Sequence, residues 1–300
     1  MQKLLGLLFI FSLASGIGIV WHYTTAGFKR GKIHCELPSD ARWHIPLSST
    51  RKEEVLKILD QEFTYLGKGR QCFVFQSRDK QYVIKFFRYH LIRPKLEARF
   101  LGLFAKGRNY LQKHLQSRKR HFETWMSSYK LSFEELQEEN GLIYMHLVQT
   151  DELHQKVEIR DSIGRKYAID LDQAGFCVQK KTDLLPETIE KLIAKKDLSH
   201  LKEIIHAYLS VLALRHQKGI KNLDCSWKKN YGNIGTDRIY EIDLGRYAYH
   251  PVSVTEKDLA WQLGKYTEGF RDYLKKHILE ILPFFDEEIV RVAKENIGSQ

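Results

Sequence analysis

The stretch that decides the fold is NLDCSWKKNYGNIGTDRIYEIDLGRY, residues 222–247. Its first part carries Asp224 after an apolar lead-in, and Asn230 follows six residues later. Its second part is a short strand pattern that ends in Asp243-Leu244-Gly245. Asp and Asn at the ends of segments are common turn formers, because their side chains hydrogen-bond to nearby backbone. Carboxylate and amide oxygens are also the ligands that Mg²⁺ takes. The stretch is therefore either a set of turns or the wall of a metal-nucleotide site.

Two segments upstream bear on that choice. Gly67-Lys68-Gly69 separates two β-rich segments, and glycines there let backbone N–H groups approach a phosphate. Lys85 ends the apolar segment Tyr-Val-Ile-Lys, where a buried ammonium needs an anionic partner. Taken singly, the first segment is equally typical of an ordinary hairpin turn, and the second of an edge lysine whose charged end reaches water.

The four segments together, in this order, resemble the protein kinase-like superfamily. In that family Val-Ala-Ile-Lys corresponds to the segment ending at Lys85, His-Arg-Asp to residues 222–224, and Asp-Phe-Gly to residues 243–245. The thirteen-residue separation of Asn230 from Asp243 is also the one that the family shows. The resemblance extends over roughly residues 59–264, which is most of the chain after its apolar start.

The resemblance implies ATP and Mg²⁺ as cofactors and gives roles to six residues. These are Gly67 and Gly69 over the ATP phosphates, Lys85 on the α- and β-phosphates, Asp224 at the acceptor hydroxyl, and Asn230 and Asp243 on Mg²⁺. The family also pairs the lysine with a helix glutamate. Four glutamates stay open for that position: Glu97, Glu123, Glu135 and Glu138.

The chain departs from the family pattern in several places. Cys72 replaces the third loop glycine, Leu223 replaces the arginine before Asp224, and no Ala-Pro-Glu follows. Asp224 and Asn230 are six residues apart, where the family has five, so we expect the loop to bulge. Asn233 is a rival ligand, although its separation from Asp243 is shorter than the family's.

A further departure bears on the substrate. Asp258, in DLAWQLG, resembles the aspartate of the helix that supports the catalytic loop, and only fourteen residues separate it from Asp243. That leaves no room for a phosphorylated activation segment or a peptide-docking platform. The chain is thus most similar to atypical members, of the aminoglycoside phosphotransferase-like or lipopolysaccharide kinase-like type. The resemblance implies an ATP-dependent phosphotransferase that acts on a hydroxyl of a small molecule, a sugar or a lipid. The alternative is an inactive pseudokinase that serves as a membrane-tethered binding module.

The composition is typical of a globular protein, and the positive net charge favours anionic binding partners. Of 300 residues, 43% are hydrophobic and 28% charged, and the formal net charge is +11. Much of the excess positive charge lies in residues 29–32 and 106–120. The second segment suits nucleic acid, the acidic headgroups of an anionic membrane surface or a phosphorylated substrate; the alternative is a solvated helix face. Charge alone also suggests nucleic acid, but no aromatic interleaving or known motif accompanies it, so we do not expect that partner. The sequence does not indicate an oligomeric state.

The four cysteines are widely spaced, which fits a reducing compartment. Cys225, next to Asp224, has no identifiable base nearby, so we do not expect it to be a nucleophile.

The N-terminus raises a question of location. Residues 4–21 are a run of eighteen residues without a charge, which is close to the roughly 20 apolar residues that a membrane-spanning helix needs. A secretory signal peptide and a buried helix are the alternatives. The apolar run continues through Trp21, which favours an anchor, and the cations at residues 29–32 predict that the rest of the chain faces the cytoplasm. We therefore expect a single-pass protein of the inner (cytoplasmic) membrane.

The periodicity of the remaining sequence predicts an α+β fold in two lobes. The resemblance implies that this is a protein kinase-like fold, which the predicted transmembrane helix precedes. The predicted divisions are an anchor or signal peptide over 1–30, a connector over 31–49, a β-rich N-lobe with inserted helices over 50–180, and a small helical C-lobe over 181–300. Thr50 and Glu53 predict a capping box at the first helix of the N-lobe. The helical segment that follows Pro94 is expected to break near Ser117.

Overall fold

The computed structural model describes residues 2–35, 40–91, 108–250 and 255–297, with the backbone alone at 2–11 and 14. The α-helices are α1 Gln2–Thr24, α2 Ser49–Leu59, α3 Arg108–Glu135, α4 Leu185–Lys195, α5 Leu198–Gln217, α6 Glu256–His277 and α7 Leu282–Ile297. The β-strands are β1 Phe63–Lys68, β2 Cys72–Ser77, β3 Tyr82–Phe87, β4 Leu142–His146, β5 Lys156–Arg160, β6 Lys166–Asp170, β7 Phe176–Lys180, β8 Asp183–Leu184, β9 Ile220–Asn222, β10 Tyr231–Ile234, β11 Arg238–Glu241 and β12 Tyr247–Tyr249. The predicted α+β class is confirmed.

Contacts divide the chain into two compact units. The first contains residues 1–121 and 143–181, and the second contains residues 122–142 and 182–300. Each unit therefore takes two separate pieces of sequence, and α3 contributes its first half to one unit and its second half to the other.

The first unit is built on a seven-stranded sheet in the order β4-β7-β3-β2-β1-β5-β6. β1, β2, β3 and β7 pair as antiparallel neighbours, whereas β1 and β5 are parallel. Phe73, Phe75, Ile84 and Phe86 point to one face of the sheet, because side chains alternate along a strand. That face is covered by side chains of α2 and by Phe28.

The second unit is mostly helical. Its core consists of side chains from α4, α5, α6 and α7, together with residues of the segment between β9 and β11. Within it, α5 is buried along most of its length, which explains why its sequence is apolar on nearly every side. Two small sheets, β11-β10-β8 and β12-β9, border this core and carry the stretch 222–247.

The apolar N-terminal run forms α1, but the transmembrane anchor is not supported. Among the described residues, no helix has both the length and the apolar character that crossing a membrane requires. The end of α1 instead contacts the β5–β6 loop: Ser162 donates a hydrogen bond to the Thr24 carbonyl (2.6 Å), and the Arg165 guanidinium lies 4.6 Å from the Trp21 ring centre.

Two local predictions are corrected. The helix break near Ser117 is wrong, because α3 runs without interruption through it and contains neither proline nor glycine. The capping box at Thr50 is also wrong. Ser48 is the N-cap of α2, and its hydroxyl accepts a hydrogen bond from the Arg51 backbone N–H (3.4 Å). A serine two residues earlier performs the same chemistry, so the helix starts two residues earlier than a cap at Thr50 would allow.

Candidate functional site

The glycine-containing loop connects β1 and β2 in the first unit. A β-bulge at the end of β1 shifts the register between Tyr65 and Gly67. The turn is closed by the Gly69 backbone N–H, which donates to the Cys72 carbonyl (2.9 Å). Arg88, just after β3, donates through one guanidinium nitrogen to the carbonyls of Gly69 (3.2 Å) and Arg70 (3.0 Å). The loop is therefore held from outside as well as by its own turn.

Neither Gly67 nor Gly69 is required by the fold itself. Among the described residues, the five glycines with positive φ lie at other positions: Gly27, Gly141, Gly164, Gly219 and Gly235. A Cβ atom added to Gly67 would meet nothing within 4 Å, and one added to Gly69 would make an ordinary contact of 3.6 Å with the Cys72 sulfur. Backbone geometry and packing therefore do not account for glycine at these positions, whereas the close approach of a ligand to the backbone would.

Lys85 lies in the middle of the sheet. It is paired with Val74 of β2 and with Cys177 of β7, and it is half-buried. Alternation along β3 directs it to the face opposite Ile84 and Phe86. Burial raises the pKa of the Cys177 thiol to about 12, and the nearby charge of Lys85 acts against that rise. Of the candidate glutamate partners, Glu97 lies outside the described residues, and the Glu135 carboxylate accepts a hydrogen bond from the Tyr249 hydroxyl (2.9 Å).

Asp224 begins a loop in the second unit. The loop leaves β9, whose Asn222 pairs with Tyr247 of β12. The Asn222 side-chain oxygen accepts from the Asp224 backbone N–H (2.8 Å), and the Leu223 backbone N–H donates to the Arg246 carbonyl (3.0 Å). The Asp224 side chain is 45% exposed, and its carboxylate lies 3.9 Å from the Arg246 guanidinium. Its backbone is thus fixed on both sides while its carboxylate stays accessible.

The extra residue between Asp224 and Asn230 is absorbed in a turn. The Asn230 backbone N–H donates to the Ser226 carbonyl (3.0 Å), and Trp227 inside the turn is buried against Phe270 and Tyr273. The Asn230 side-chain nitrogen then reaches back to the Asp224 carbonyl (2.6 Å). The bulge is therefore anchored in the helical core, and Asn230 still reaches Asp224.

Asp243 lies beside Asn230. The backbone N–H of Ile242 donates to the Asn230 carbonyl (2.7 Å), which places the next residue, Asp243, at the same corner. Asp243 is exposed, and one of its carboxylate oxygens accepts from the Gly245 backbone N–H (3.2 Å). The rival, Asn233, lies farther along β10 opposite Ile239, and its side-chain nitrogen donates to the Gly235 carbonyl (2.7 Å).

A buried polar network lies beneath this corner, and the sequence interpretation missed it. The Glu241 carboxylate accepts from the Arg215 guanidinium, from the Tyr231 hydroxyl (2.6 Å) and from the Asn222 side-chain nitrogen (2.8 Å). Burial acts to lower the pKa of Arg215, but Glu241 raises it well above its usual value. Burial also raises the pKa of Tyr231. Arg215, at the end of the largely apolar stretch 204–214 of α5, was the signal that could have revealed the network.

Asp258 does not act as the resemblance implies. It occupies the third position of α6, where its carboxylate accepts from the Thr255 hydroxyl (2.6 Å) and its backbone N–H donates to that hydroxyl (3.2 Å). This is a capping box, so Asp258 is explained by the start of the helix rather than by the Asp224 loop.

In the part of the chain that the structure describes, one group of three residues outside these segments has the composition of a metal site: Asp151, His154 and Asp172, in the first unit. The Asp172 carboxylate already accepts from the Thr150 hydroxyl and from the backbone N–H groups of residues 152, 153 and 154. Burial alone would raise the pKa of Asp172, but these hydrogen bonds lower it to about 2. The carboxylate thus orders the loop, and we assign no metal to it.

The six residues fall into two sets. Gly67, Gly69 and Lys85 belong to the first unit. Asp224, Asn230 and Asp243 belong to the second, where the structure brings them to one corner.

No family model and no curated protein sequence matches the chain. Among solved structures, the chain is similar to two structures of the bifunctional kinase-methyltransferase WbdD, each with 13% sequence identity. The TM-scores are 0.38 and 0.35. The matches cover 76% of this chain, and 43% and 44% of the two WbdD chains. It is also similar to Rv3197 from Mycobacterium tuberculosis, solved in complex with erythromycin, with a TM-score of 0.37, 13% identity, and coverage of 81% of this chain and 60% of that one. The chain therefore spans less than two thirds of each of these proteins. The structures that resemble this α+β chain thus include a kinase.

Proposed function

We propose that the chain is an atypical kinase-like phosphotransferase that moves the γ-phosphoryl group of ATP to a hydroxyl group. The observation that carries the proposal is the corner formed by Asp224, Asn230 and Asp243. There, the Asn230 side-chain nitrogen donates to the Asp224 carbonyl, and the Asn230 carbonyl accepts from the Ile242 backbone N–H. The accessible carboxylates of Asp224 and Asp243 thus belong to segments that Asn230 ties together.

The chemistry of that corner suits Mg²⁺. The Asn230 side-chain nitrogen is used by the Asp224 carbonyl, which leaves the amide oxygen as the atom to face a cation. With the carboxylate of Asp243, it would supply the oxygen ligands that Mg²⁺ prefers. Bound Mg²⁺ would neutralise charge on the transferred phosphoryl group, and Asp224 would orient the acceptor hydroxyl.

The first unit supplies the features expected of a nucleotide phosphate site. Gly67 and Gly69 are not explained by backbone conformation or packing. Lys85 presents an ammonium group on the sheet face opposite the aromatic core, and it would pair with the α- and β-phosphates.

The acceptor is proposed to be a small molecule, a sugar or a lipid-linked hydroxyl. Only twelve residues, 244–255, lie between Asp243 and the start of α6 at Glu256, too few for an activation segment with a peptide-docking platform. Placement of the domain on the cytoplasmic side of a membrane, where ATP is available, is a proposal of its own. A C-terminal reporter that is accessible from outside intact cells would contradict it.

A second candidate is a pseudokinase that binds the nucleotide without transferring phosphate. It is favoured by Cys72 at the third glycine position and by the lengthened loop, which Trp227 fastens to the helical core. The two candidates differ in turnover, so ATP binding without ATP hydrolysis or transfer to any tested acceptor would support the pseudokinase.

The test is a thermal shift of the full chain with ATP, with and without Mg²⁺. Ligand at 100 times its Kd should stabilise the protein by about 2.7 kcal/mol. Lys85→Met and Asp243→Asn should each abolish the shift, because they remove the phosphate partner and a metal ligand. Lys57→Met, on the exposed side of α2, is the matched control and should keep the shift. Absence of a shift in the parent protein, or an unchanged shift in both variants, would overturn the proposal.

A further inference from the structure

Four cations gather where the N-terminal segment meets the glycine-containing loop. Lys68, at the end of β1, donates to the Ala26 carbonyl (2.8 Å), and Lys32 donates to the adjacent Gly27 carbonyl (2.6 Å). Arg88 and Lys29 lie close enough to Lys32 for their charges to act on it. We call Lys29, Lys32, Lys68 and Arg88 the Lys32 cluster.

The Lys32 cluster is electrostatically unbalanced. Burial lowers the pKa of Lys32, and the charges of Arg88, Lys29 and Lys68 lower it further. Burial also lowers the pKa of Arg88, whose Nε atom is buried without a hydrogen-bond partner. Within the described ranges, no aspartate or glutamate forms an ion pair with the cluster, and the acceptors it has are backbone carbonyls. Lys32 and Arg88 are half-buried, and a half-buried cation without a counter-charge is costly, so an anion would remove that cost.

The cluster is separate from Lys85. The Arg88 guanidinium lies 5.3 Å from the Phe73 ring centre, and the Phe28 ring packs 5.2 Å from the same ring. Arg88 is therefore on the aromatic face of the sheet, whereas Lys85 points to the opposite face. A ligand of the Lys32 cluster would therefore lie on the other face of the sheet from Lys85.

The end of α1 leads directly into the cluster. Ala26 and Gly27, both with positive φ, turn the chain after Thr24 and supply the two carbonyls that the lysines bind. In the last turns of α1, the apolar side chains of Ile17, Ile19 and Val20 are exposed. Exposed apolar side chains next to a group of cations are the combination that meets a phospholipid headgroup.

We propose that the Lys32 cluster binds a phosphate group, carried either by an anionic lipid headgroup or by a free phosphate ligand. The inference goes beyond the proposed phosphotransfer and does not depend on it.

The experiment uses the full chain and two probes. The first is the partition of the protein onto phosphatidylcholine vesicles with and without phosphatidylglycerol, where the ratio of the two partition coefficients removes any purely apolar binding by α1. The second is a calorimetric titration with pyrophosphate. The double variant Lys32→Gln/Lys68→Gln should lower the affinity for whichever probe binds roughly 30-fold, because each basic residue near an anionic surface contributes about fivefold to the affinity.

The glutamine side chain can still donate to the Ala26 and Gly27 carbonyls, so the segment should stay folded. Lys29→Gln, at an exposed position, is a second variant and should weaken binding about fivefold. The matched control is Lys57→Gln/Lys156→Gln, which removes the same charge from exposed positions of the first unit.

If phosphatidylglycerol increases the partition of the protein onto vesicles, and the cluster variants reduce that increase, the ligand of the cluster is a lipid headgroup. If pyrophosphate binds, the cluster variants weaken that binding and phosphatidylglycerol has no effect on the partition, the ligand is a free phosphate. The proposal is overturned if neither probe binds, or if the control pair weakens binding as much as the cluster pair. It is also overturned if Lys85→Met, on the other face, abolishes the binding. If Lys85→Met instead loses nucleotide binding and keeps the binding of the cluster's probe, the two sites are distinct.

Discussion

The side chains of Arg215 and Glu241 form an ion pair in the interior of the second unit, and each is only 1% exposed. Arg215 comes from α5, and Glu241 from the last position of β11, two residues before Asp243. The pair therefore joins the long buried helix to the strand that presents the proposed metal ligand.

Glu241→Ala should destabilise the protein strongly. Removal of one partner of a buried pair leaves an uncompensated charge, which costs about 3–5 kcal/mol. The control is Asp286→Ala, which breaks the exposed pair with Arg271 in the same unit and should cost less than about 1 kcal/mol. The free energy of unfolding from urea titrations gives both values. Equal losses in the two variants would mean that Arg215 and Glu241 do not interact as the structure shows.

Gly67→Ala and Gly69→Ala should leave the melting temperature of the ligand-free protein within about a degree of the parent, since a Cβ atom fits at both positions. The same variants should reduce the thermal shift caused by Mg²⁺-ATP, because the added methyl groups would lie between the backbone and the phosphates.

The contrasting variant is Gly232→Ala. Its Cβ atom would lie 2.1 Å from the Thr182 hydroxyl oxygen and 2.7 Å from the Asp183 carbonyl oxygen. We expect a loss of about 1–3 kcal/mol in stability from overpacking. If the two loop variants proved as unstable as this one, the glycines would be explained by the fold and would no longer support nucleotide binding.

Asp172 should make stability depend on pH in the acid range. Its pKa in the folded protein is about 2, below the value of about 3.9 for an unfolded chain. Its contribution is therefore fully present above the unfolded pKa and is lost as the pH falls toward 2. Asp172→Asn should cost about 2 kcal/mol at pH 7, since four hydrogen bonds to a charged group are weakened.

The measurement is the melting temperature of parent and variant between pH 7 and pH 3, where the difference should shrink as the pH falls. Asp151→Asn, at a side chain that is 97% exposed, is the control and should have little effect at any pH. A difference that grew toward pH 3 would show that the carboxylate is not the stabilising form.

Cys225 should react slowly with iodoacetamide at pH 7. Burial raises the pKa of its thiol, partly offset by Arg215, so little thiolate is present. Its Sγ atom also donates to the Asn222 carbonyl (3.2 Å). Mass spectrometry of the native protein over time measures the rate, with the urea-unfolded chain as the reference. Modification as fast as in the unfolded chain would revive a nucleophilic role for this cysteine.

Much of the secondary structure follows from the sequence. The segments Lys156–Arg160 and Phe176–Lys180, for example, contain β-forming residues bounded by turn formers, and both form strands. The N-cap of α2 is harder to predict from the sequence. Ser48, Ser49 and Thr50 can all cap a helix, and only the path of the preceding chain selects one of them.

Residues that act through distant partners could not be predicted. Glu241 lies in a short strand beside an exposed aspartate, and its burial depends on Arg215, which is 26 residues away in sequence. The turn that fits the extra residue after Asp224 depends on Trp227 finding a place among Phe270 and Tyr273. Such partners come from tertiary packing, which local periodicity does not record.

The division of α3 between the two units has a consequence for how the protein is made. The sheet of the first unit lacks β7 until residue 180 has been synthesised, and the segment 122–142 of the second unit must wait for residues beyond 182. During translation, the emerging chain would expose incomplete sheet edges and the apolar face of Phe122–Glu135 until its last third leaves the ribosome. The protein should therefore depend on chaperones during synthesis more than two domains arranged one after the other would.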